Sequence, residues 1–364
     1  MRILFVKRRN HTNFWPAFDA LENAGHEVFV TSVVQHANQV PNSREILLRQ
    51  SGVGNARKLP MMPARLRYLL ADYAGSDLRD AITKIAPDLI VIKGETKLLS
   101  LEAARYARSK KIPVLLYNQA PLYGECSSLV KIMRWYFTRG REWFTPVLGE
   151  LNNGAQKGGV YLPFCMPAQP VDPQPRAKGE PLRLLMMGQF HMRRKNHLPF
   201  LHVIAELKTQ FPLSVVVAGP GDERLAHYRE VLDFIRTNDL EGIVHVRNDV
   251  PFDRVSELYE WAHVYVLPSD DEPAAVSIAE AMSFGLPVIC NDSNATRCYF
   301  DHGIEGLVYR KGDWAALGDA IEALFDNDSQ RLEMGIRARE RIQNEHAPEK
   351  WVAKFDRLAK KASQ

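Results

Sequence analysis

The sequence has few cysteines, and none of them lies in a pattern typical of a metal site. Four cysteines occur among the 364 residues, and no two of them form the Cys-x-x-Cys pair that many zinc sites use. The eleven histidines form no ligand cluster either. We therefore expect reduced thiols, as in a cytosolic protein, and no bound metal.

Long apolar runs and a strong charge imbalance are also absent. No stretch reaches the roughly 18 apolar residues of a membrane span, and the apolar part of the opening MRILFVKRRN is too short for a signal peptide. The formal net charge of +4 does not favour bulk binding of nucleic acid. We expect a cytoplasmic protein, and contact with the inner face of a membrane stays an open alternative.

The sequence does contain two series of short apolar runs, separated by helical patterns. Most of these runs are apolar on both faces, as are parallel strands that helices cover on each side. The alternation predicts an α/β protein with two doubly wound parallel sheets. The runs are RILFVK (2–7), EVFV (27–30), DLIVIKG (88–94), PVLLYN (113–118), LRLLMMG (182–188), LSVVVAG (213–219), IVHV (243–246), VYVLPS (264–269) and PVICN (287–291).

Prolines mark the boundary between the two series. Six of the nineteen residues from 163 to 181 are proline, and prolines neither continue a helix nor fit inside a sheet. We therefore predict an N-terminal domain over residues 1–165, a proline-rich linker over 166–181 and a C-terminal domain over 182–346. Ligands of such sheets bind at the carboxyl ends of the strands, and a cleft between the domains is the expected place.

The last segment, residues 347–364, has the pattern of an amphipathic helix. Trp351, Val352, Phe355 and Leu358 stand at helical spacing along it, so one face of the helix is apolar and must pack against something. We predict that this helix packs back toward the N-terminal domain.

Two carboxylates flank a segment that otherwise has the composition of a buried helix. In DDEPAAVSIAEAMSFGLPVICN, residues 270–291, Glu272 and Glu280 stand eight positions apart. A proline and a glycine suit the two ends of a helix over about residues 274–284. Free N–H groups at its start would bind phosphate, and carboxylates accept hydrogen bonds from hydroxyl groups. The alternative is that Glu272 is placed by the helix dipole and Glu280 is a solvated helix position.

The stretch PSDDEPAAVSIAEAMSFGLPVICND resembles the signature of family-4 glycosyltransferases, which are retaining enzymes of the GT-B fold. The signature runs roughly Pro-Ser, Glu-Pro-Phe-Gly, a second Glu after seven residues, then Ala-Met, Gly and Pro-Val. The resemblance continues in MMGQFHMRRKNHLPFLHVIAEL (186–207), AGPGDE (218–223) and DHGIEGLVY (301–309), and it covers about residues 182–330. It implies two Rossmann-like domains that face each other across a cleft, a nucleoside-diphosphate sugar as donor substrate and no cofactor.

Carried over to this chain, the resemblance implies a donor site in the second half. Glu272 would contact the sugar and Glu280 the ribose, and the diphosphate would lie between them at the helix start. The further donor-binding residues that it implies are Gly188, Gln189, Lys195, Gly219, Arg247, Asn248, Ala274, Ala275 and Val276.

The chain departs from the family pattern at two places in this site. Gln189 stands where the family usually has an arginine, so that one phosphate contact falls to Arg193 or Arg194. Ala274-Ala275 replaces Phe-Gly, and the additional methyl group narrows the space next to the donor.

The implied reaction is a front-face transfer in which the leaving diphosphate helps to deprotonate the acceptor. Lys195, with Arg193 or Arg194, would stabilise the growing negative charge. Many family members carry a histidine near the reacting carbon, where this chain has Asn118 or Gln119, and amides do not act as bases near neutral pH. Glu95 is the alternative base, or else a carboxylate of a surface loop.

A segment in the first half mixes cations with aromatic residues. LVKIMRWYFTRGREWF, residues 129–144, suits the surface of an anionic membrane. The alternative is a helix with aromatic residues in the core and arginines in solvent.

Together the patterns predict a metal-independent, retaining glycosyltransferase that acts on a hydroxyl of a glycan or glycolipid acceptor. A role in the synthesis of cell-surface polysaccharide or lipopolysaccharide is expected. Two alternatives stay open, which are a catalytically silent nucleotide-sugar-binding protein and a nucleotide-sugar 2-epimerase of the same fold.

Overall fold

The chain folds into two compact units. The computed structural model describes residues 1–8, 14–33, 45–49, 73–94, 98–119, 135, 139–148 and 159–364. Unit 1 comprises Met1–Cys165 and Pro348–Gln364, and unit 2 comprises Met166–Ala347.

Unit 1 is built on a parallel sheet whose central strands are buried on both faces. Ile3 and Phe5 of the first strand pack into one hydrophobic cluster, and Leu4 and Val6 pack into a second one on the opposite face. This is the expected result of a period of two along an apolar strand. In spatial order β3-β2-β1-β4-β5-β6-β7, the strands described are β1 (Arg2–Val6), β2 (Glu27–Ser32), β3 (Glu45–Leu47), β4 (Leu89–Lys93), β5 (Val114–Tyr117), β6 (Trp143–Thr145) and β7 (Val160–Tyr161).

Helices described in unit 1 are α1 (Trp15–Asn23), α2 (Gly75–Ile85), α3 (Leu98–Ser109) and, from the end of the chain, α10 (Pro348–Ala362). Helix α10 buries the four side chains that gave its sequence an apolar face. The Trp351 indole donates to the carbonyl oxygen of Pro163 at 2.8 Å, and the ring of Phe355 lies 6.4 Å from that of Phe5. The last helix therefore belongs to the core of unit 1.

Unit 2 repeats the same sheet plan with six strands among its residues, all of which the structure describes. The order is β10-β9-β8-β11-β12-β13, which matches the first six positions of the sheet in unit 1. The strands are β8 (Leu182–Met187), β9 (Leu213–Ala218), β10 (Val244–Arg247), β11 (Val264–Leu267), β12 (Val288–Asn291) and β13 (Gly306–Tyr309). The helices are α4 (His197–Leu207), α5 (Ala226–Thr237), α6 (Val255–Trp261), α7 (Val276–Ser283), α8 (Trp314–Asp326) and α9 (Asp328–Arg341).

The prediction of an α/β protein with two parallel sheets is confirmed, and all nine apolar runs form strands. The strands that the sequence did not reveal are β3, β6, β7 and β13, which have two to four residues each. Runs this short give no period to detect.

One correction concerns the segment 129–144. The last residues of this segment do not belong to a helix at a membrane surface. Trp143 and Phe144 lie in strand β6 and are buried. Trp135 is 58% exposed, and the guanidinium of Arg139 lies 5.0 Å from its ring centre. Residues 129–134 and 136–138, which carried the rest of the membrane prediction, lie outside the described residues.

A second correction concerns the proline-rich segment 166–181, which is part of unit 2 rather than a separate linker. Arginines of helix α9 bind its backbone. Arg331 donates to the carbonyl oxygen of Gln174 at 2.7 Å, and Arg339 donates to that of Val171. Prolines leave carbonyl groups without the partners of regular structure, and these arginines supply partners.

Across the residues that the structure describes, no helix is both long and apolar enough to pass through a bilayer.

Candidate functional site

The carboxyl edge of the sheet in unit 2 brings together two loops that the sequence analysis singled out. Strands β8 and β11 are neighbours, and the strand order reverses between them, which is where ligands of doubly wound sheets bind. Two hydrogen bonds to backbone carbonyl oxygens join the loop after β8 to the loop after β11. The Asp270 N–H donates to the Arg194 carbonyl oxygen at 2.8 Å, and the Asn196 side chain donates to the Pro268 carbonyl oxygen at 2.9 Å.

Two glycines allow the backbone at this edge to pack closely. A Cβ atom on Gly219 would lie 2.1 Å from the carbonyl oxygen of Gly188, and a Cβ atom on Gly188 would lie 3.1 Å from the Lys195 side chain. A larger residue at position 219 would therefore displace the turn that carries Lys195. This contact explains why a glycine follows each of the strands β8 and β9.

Glu272 is bound by two cations at this edge. Its Oε2 atom accepts from Lys195 Nζ at 2.5 Å and from Arg194 Nη1 at 2.5 Å, and its Oε1 atom accepts from Arg194 Nη2 at 3.3 Å. The carboxylate is buried, with 6% relative exposure. The structure thus joins Lys195 and Arg194, which follow β8, to Glu272, which follows β11.

Burial and charge compete in setting the pKa values of this group. Burial opposes ionisation of Glu272, but Lys195 and Arg194 together outweigh it and hold the pKa of the carboxyl below its usual value. Burial lowers the pKa of Lys195, and the Glu272 carboxylate offsets only part of that effect. A carboxylate with a lowered pKa is ionised at neutral pH, so the group holds fixed charges.

Arg193 and Gln189 are placed differently from Arg194. The Arg193 guanidinium turns to Glu230 of α5, 2.8 Å from its Oε1 atom, and the arginine side chain is 67% exposed. Gln189 is exposed, and its carbonyl oxygen accepts the Met192 N–H at 3.0 Å. Of the two arginines that sequence analysis offered as a replacement for the missing cation, the structure brings Arg194 to Glu272.

Helix α7 begins at Val276, which corrects the predicted start at residue 274. Ala275 is the residue before the first turn and is extended, and Ala274 precedes it outside the helix. The Glu272 carbonyl oxygen accepts the Ala295 N–H at 2.9 Å, which holds this segment to the next loop. The first free N–H groups of the helix are thus those of Val276 and the residues after it.

Glu280 lies on helix α7 and is partly buried. Its Oε2 atom accepts from the Tyr259 hydroxyl at 2.7 Å. Burial raises the pKa of the Glu280 carboxyl, and the hydrogen bond from Tyr259 opposes that shift. Glu280 is therefore not a freely solvated residue of a helix surface, which was the alternative interpretation of the sequence.

Arg247 and Asn248, which the resemblance assigned to the nucleobase, lie at the end of β10. They line a cavity of about 630 Å³ together with Asp249 and Arg254. Asn248 also donates to the Gly221 carbonyl oxygen at 3.1 Å, which ties the β10 end to the turn after β9.

Several residues that shape the site were missed by sequence reasoning. Asn196 has a left-handed backbone, with φ of 58°, between the turn that carries Lys195 and helix α4. The Asn291 side chain donates to the Ser269 carbonyl oxygen at 3.0 Å and to Asp270 at 3.0 Å. Asparagine at the end of a short strand or between two short helices was the signal available, because asparagine tolerates a left-handed backbone and bonds to nearby backbone groups.

At the carboxyl edge of unit 1, the structure places two of the three residues that sequence analysis proposed. Asn118 and Gln119 directly follow β5, and the Gln119 side chain hydrogen-bonds to Tyr117. Glu95 lies outside the described residues. In the described ranges of both units, no group of three or more His, Cys, Asp or Glu side chains is arranged to hold a metal ion.

A known protein family matches the part of the chain that contains these loops. Residues 181–327 match the family of glycosyl transferases group 1, so the resemblance to that family is confirmed for this part of the chain. The matched residues include both loops of the site and helix α7.

Curated relatives match about half of the chain. The human alpha-1,3/1,6-mannosyltransferase ALG2 is 26% identical over 195 residues, which are 50% of this chain and 46% of that protein. The putative colanic acid biosynthesis glycosyltransferase WcaL of Salmonella typhimurium is 25% identical over 46% of this chain and 42% of that protein. The chain thus spans less than half the length of these relatives.

Solved structures match over the whole chain. Sucrose-phosphate synthase from Thermosynechococcus elongatus has a TM-score of 0.77 at 18% identity and covers 99% of this chain and 98% of its own. Anabaena HepE in complex with UDP and glucose has a TM-score of 0.75 at 13% identity. The match covers 99% of this chain and 100% of the HepE chain. At these identities the likeness shows the fold, which is the GT-B class that the sequence predicted.

Proposed function

We propose that the protein is a retaining glycosyltransferase that moves a sugar from a nucleoside-diphosphate sugar to a hydroxyl group of a glycan or glycolipid. The observation that carries the proposal is the bond of Glu272 to Lys195 and Arg194 where the strand order of unit 2 reverses. Family membership of residues 181–327 supports it independently.

The charges at this edge suit a sugar diphosphate. Lys195 and Arg194 offer several N–H donors, and helix α7 begins four residues after their partner Glu272 with free N–H groups in its first turn. Phosphate binds to such cations and helix starts. In the structure both cations are bonded to Glu272. We expect the diphosphate to take over part of these bonds when donor binds, so that Glu272 is released to accept hydrogen bonds from sugar hydroxyls.

The same cations suit the chemical step. As the bond between sugar and diphosphate breaks, negative charge grows on the leaving phosphate oxygens, and positioned cations and helix N–H groups stabilise it. In a front-face transfer the leaving phosphate accepts the proton of the acceptor hydroxyl, so the step needs no base from the protein. Asn118 and Gln119 would then bind the acceptor through hydrogen bonds, and Lys195 and Arg194 would supply the charge that a metal ion supplies elsewhere.

Glu280 suits the ribose of the nucleotide. Its carboxylate is held by the Tyr259 hydroxyl through one oxygen atom, and a carboxylate has further acceptor positions for a pair of ribose hydroxyls. Arg247 and Asn248 beside the cavity at the end of β10 are the candidates for contact with the base.

The acceptor is proposed to be a surface glycan or its lipid-linked precursor. Two relatives are named for the biosynthesis of such polymers, colanic acid and amylovoran. The reaction would then take place in the cytoplasm, at the inner face of the membrane.

A donor panel tests this proposal. Thermal unfolding would be followed with UDP, GDP, ADP, CMP and their common sugars, because a ligand of the folded state raises the melting temperature. One nucleotide sugar should raise it for the wild type and much less for Glu280→Gln. Glu230→Gln is the matched control, since it removes a carboxylate from an exposed ion pair with Arg193.

Product analysis with the same donor separates the alternatives. Transfer to an acceptor with retained configuration supports the proposal. Binding without transfer to any acceptor would identify a silent binding protein, and conversion of the free donor to its 2-epimer would identify an epimerase. If no nucleotide sugar shifts the melting temperature, the site assignment fails.

A further inference from the structure

A buried histidine follows the turn that carries Lys195. His197 is the first residue of helix α4 and has no exposed surface. Its ring is stacked on that of Phe190 with the ring centres 4.5 Å apart, and the ring of His227 meets it edge-on with a centre distance of 5.4 Å. These contacts restrict rotation of the imidazole, so its two nitrogen atoms keep fixed directions.

One ring nitrogen of His197 reaches the backbone of Gly188, the residue after strand β8. The Nε2 atom lies 3.2 Å from the Gly188 carbonyl oxygen. Burial lowers the pKa of His197 to about 4, and the bond to Gly188 opposes that shift only in part. The imidazole is therefore neutral near pH 7. Because a carbonyl oxygen only accepts, Nε2 carries the ring hydrogen and donates it.

The backbone of Gly188 is thereby held from two sides. Its N–H donates to the Ala218 carbonyl oxygen at 2.8 Å, which ties it to the end of strand β9, and its carbonyl oxygen accepts from His197. A glycine has no side chain that packing could hold. The two backbone bonds therefore determine where Gly188 lies.

The same glycine is in contact with the side chain of Lys195. A Cβ atom on Gly188 would lie 3.1 Å from the Cβ and Cγ atoms of Lys195 and 3.2 Å from Nε2 of His197, so the lysine and the imidazole pack on one Cα atom. From this place the Lys195 side chain reaches Glu272, with 2.5 Å between Nζ and Oε2. A shift of the Gly188 backbone would therefore move Lys195 relative to Glu272.

We propose that His197 is a positioning residue of the donor site, which acts through the Gly188 carbonyl group to hold Lys195 on Glu272. A neutral imidazole suits this task, because it donates a hydrogen bond without placing another positive charge beside the Lys195 ammonium group. Only the statement that Lys195 and Glu272 belong to a donor site rests on the proposed function. The control of their contact by His197 does not.

Double-mutant cycles test the proposal by urea unfolding, without donor or activity. Lys195→Met, Glu272→Gln and the double variant are compared with the wild type, which gives the coupling between the two side chains. The cycle is then repeated in a His197→Leu protein and in a His197→Phe protein, which both lack the N–H donor, while phenylalanine keeps a ring for the stack on Phe190. We expect the coupling to fall by roughly half or more in both, because charge interactions depend on distance.

Two further variants separate the hydrogen bond from general destabilisation. His197→Gln offers an amide N–H donor and should restore most of the coupling. His263→Leu is the matched control, since His263 is also fully buried and burial also lowers its pKa to about 4, but it precedes strand β11 at the amino edge of the sheet. This control should leave the coupling between Lys195 and Glu272 as in the wild type.

Three results would overturn the proposal. The first is an unchanged coupling in a folded His197→Leu or His197→Phe protein, as expected of a histidine that only fills space and lowers the stability of every member of the cycle equally. The second is an equal loss of coupling in the His263→Leu protein. The third is a His197→Gln protein with coupling as low as that of His197→Leu. Failure of every nucleotide sugar to bind would end the proposed function but would leave these unfolding measurements unchanged, so the two proposals fail separately.

Discussion

The two units use the same strand order but differ in the groups that surround the lysine after the first strand of each sheet. In unit 2, Lys195 follows the first strand of the sheet and is bonded to Glu272, which follows the fourth strand. In unit 1, Lys7 follows the first strand and lies beside Lys93 at the end of the fourth, among aromatic rings. The lysine at one edge is bonded to a carboxylate, and the lysine at the other edge lies among aromatic rings beside a second lysine.

The difference shows that a common sheet plan does not fix the charge at the carboxyl edge of the sheet. In unit 2, Glu272 and the two cations balance in part, so the proposed donor would have to exchange with existing bonds. In unit 1, burial and the charge of Lys93 lower the pKa of Lys7, and Glu45 raises it in part. The predictions below separate these two situations.

The largest effect is expected for removal of the carboxylate in unit 2. Glu272→Ala removes the carboxylate to which Lys195 and Arg194 are bonded and leaves both side chains without it. Breaking a buried ion pair in this way lowers the free energy of unfolding by about 3 kcal/mol. The free energy of unfolding of unit 2 should fall by an amount of that order, and the rate of sugar transfer should fall roughly 100-fold or more. Urea unfolding and initial transfer rates measure the two effects, and an unchanged stability would contradict the ion pair.

Substitution of the equivalent lysines should destabilise the two units to different degrees. Lys195→Met removes a partner of Glu272 and should destabilise unit 2. Burial and the charge of Lys93 already disfavour the charged form of Lys7, so Lys7→Met should cost unit 1 less stability. Hydrogen exchange of peptides from β8 and from β1 reports each unit separately, and an equal loss of protection in both variants would refute the contrast.

The two carboxylates of the proposed donor site should give opposite pH dependence of stability. The pKa of Glu272 is lowered in the folded protein, so its stabilising contribution is present above the ordinary value of about 4.5 and is lost as pH falls through the folded-state value. The pKa of Glu280 is raised, so its contribution is present below that ordinary value and is lost as pH rises through the folded-state value.

Two variants test the opposite directions of this pH dependence. The destabilisation caused by Glu272→Gln should be greatest at neutral pH and should shrink toward and below about pH 4.5. Glu280→Gln should instead be better tolerated at neutral pH than at low pH. Urea unfolding of each variant and of wild type across this range makes the comparison, and parallel curves for the two variants would count against the assigned environments.

The smallest effect is expected for Arg193, which is bonded to Glu230 and not to Glu272. Arg193→Ala breaks an exposed ion pair with Glu230, and such pairs contribute little. Its effect on transfer should be much smaller than that of Arg194→Ala, which removes a bond to Glu272. Equal loss of transfer in both variants would place Arg193 in the site after all.

The fold was largely readable from the chain because parallel strands covered on both faces need continuous apolar runs. The positions of the two loops at the carboxyl edge of unit 2 were also readable, since glycines and a helix boundary mark them. The bonds of Glu272 were not readable, because Lys195 is 77 positions away, and the resemblance placed both residues at the donor without indicating that they contact each other. The start of helix α7 was placed two residues early for a similar reason, since a contact with Ala295 holds the preceding segment extended.

By itself, the sequence determined the two sheets, their boundary and the residue types available at the edge of each sheet, because these follow from local apolar patterns and composition. Only the tertiary structure decided which of those residues meet. The order of the strands sets which ends are adjacent, and adjacency determines whether a buried lysine finds a carboxylate or a second lysine beside it. Since charge interactions depend on distance and burial, the chemistry of each edge is a property of the folded chain.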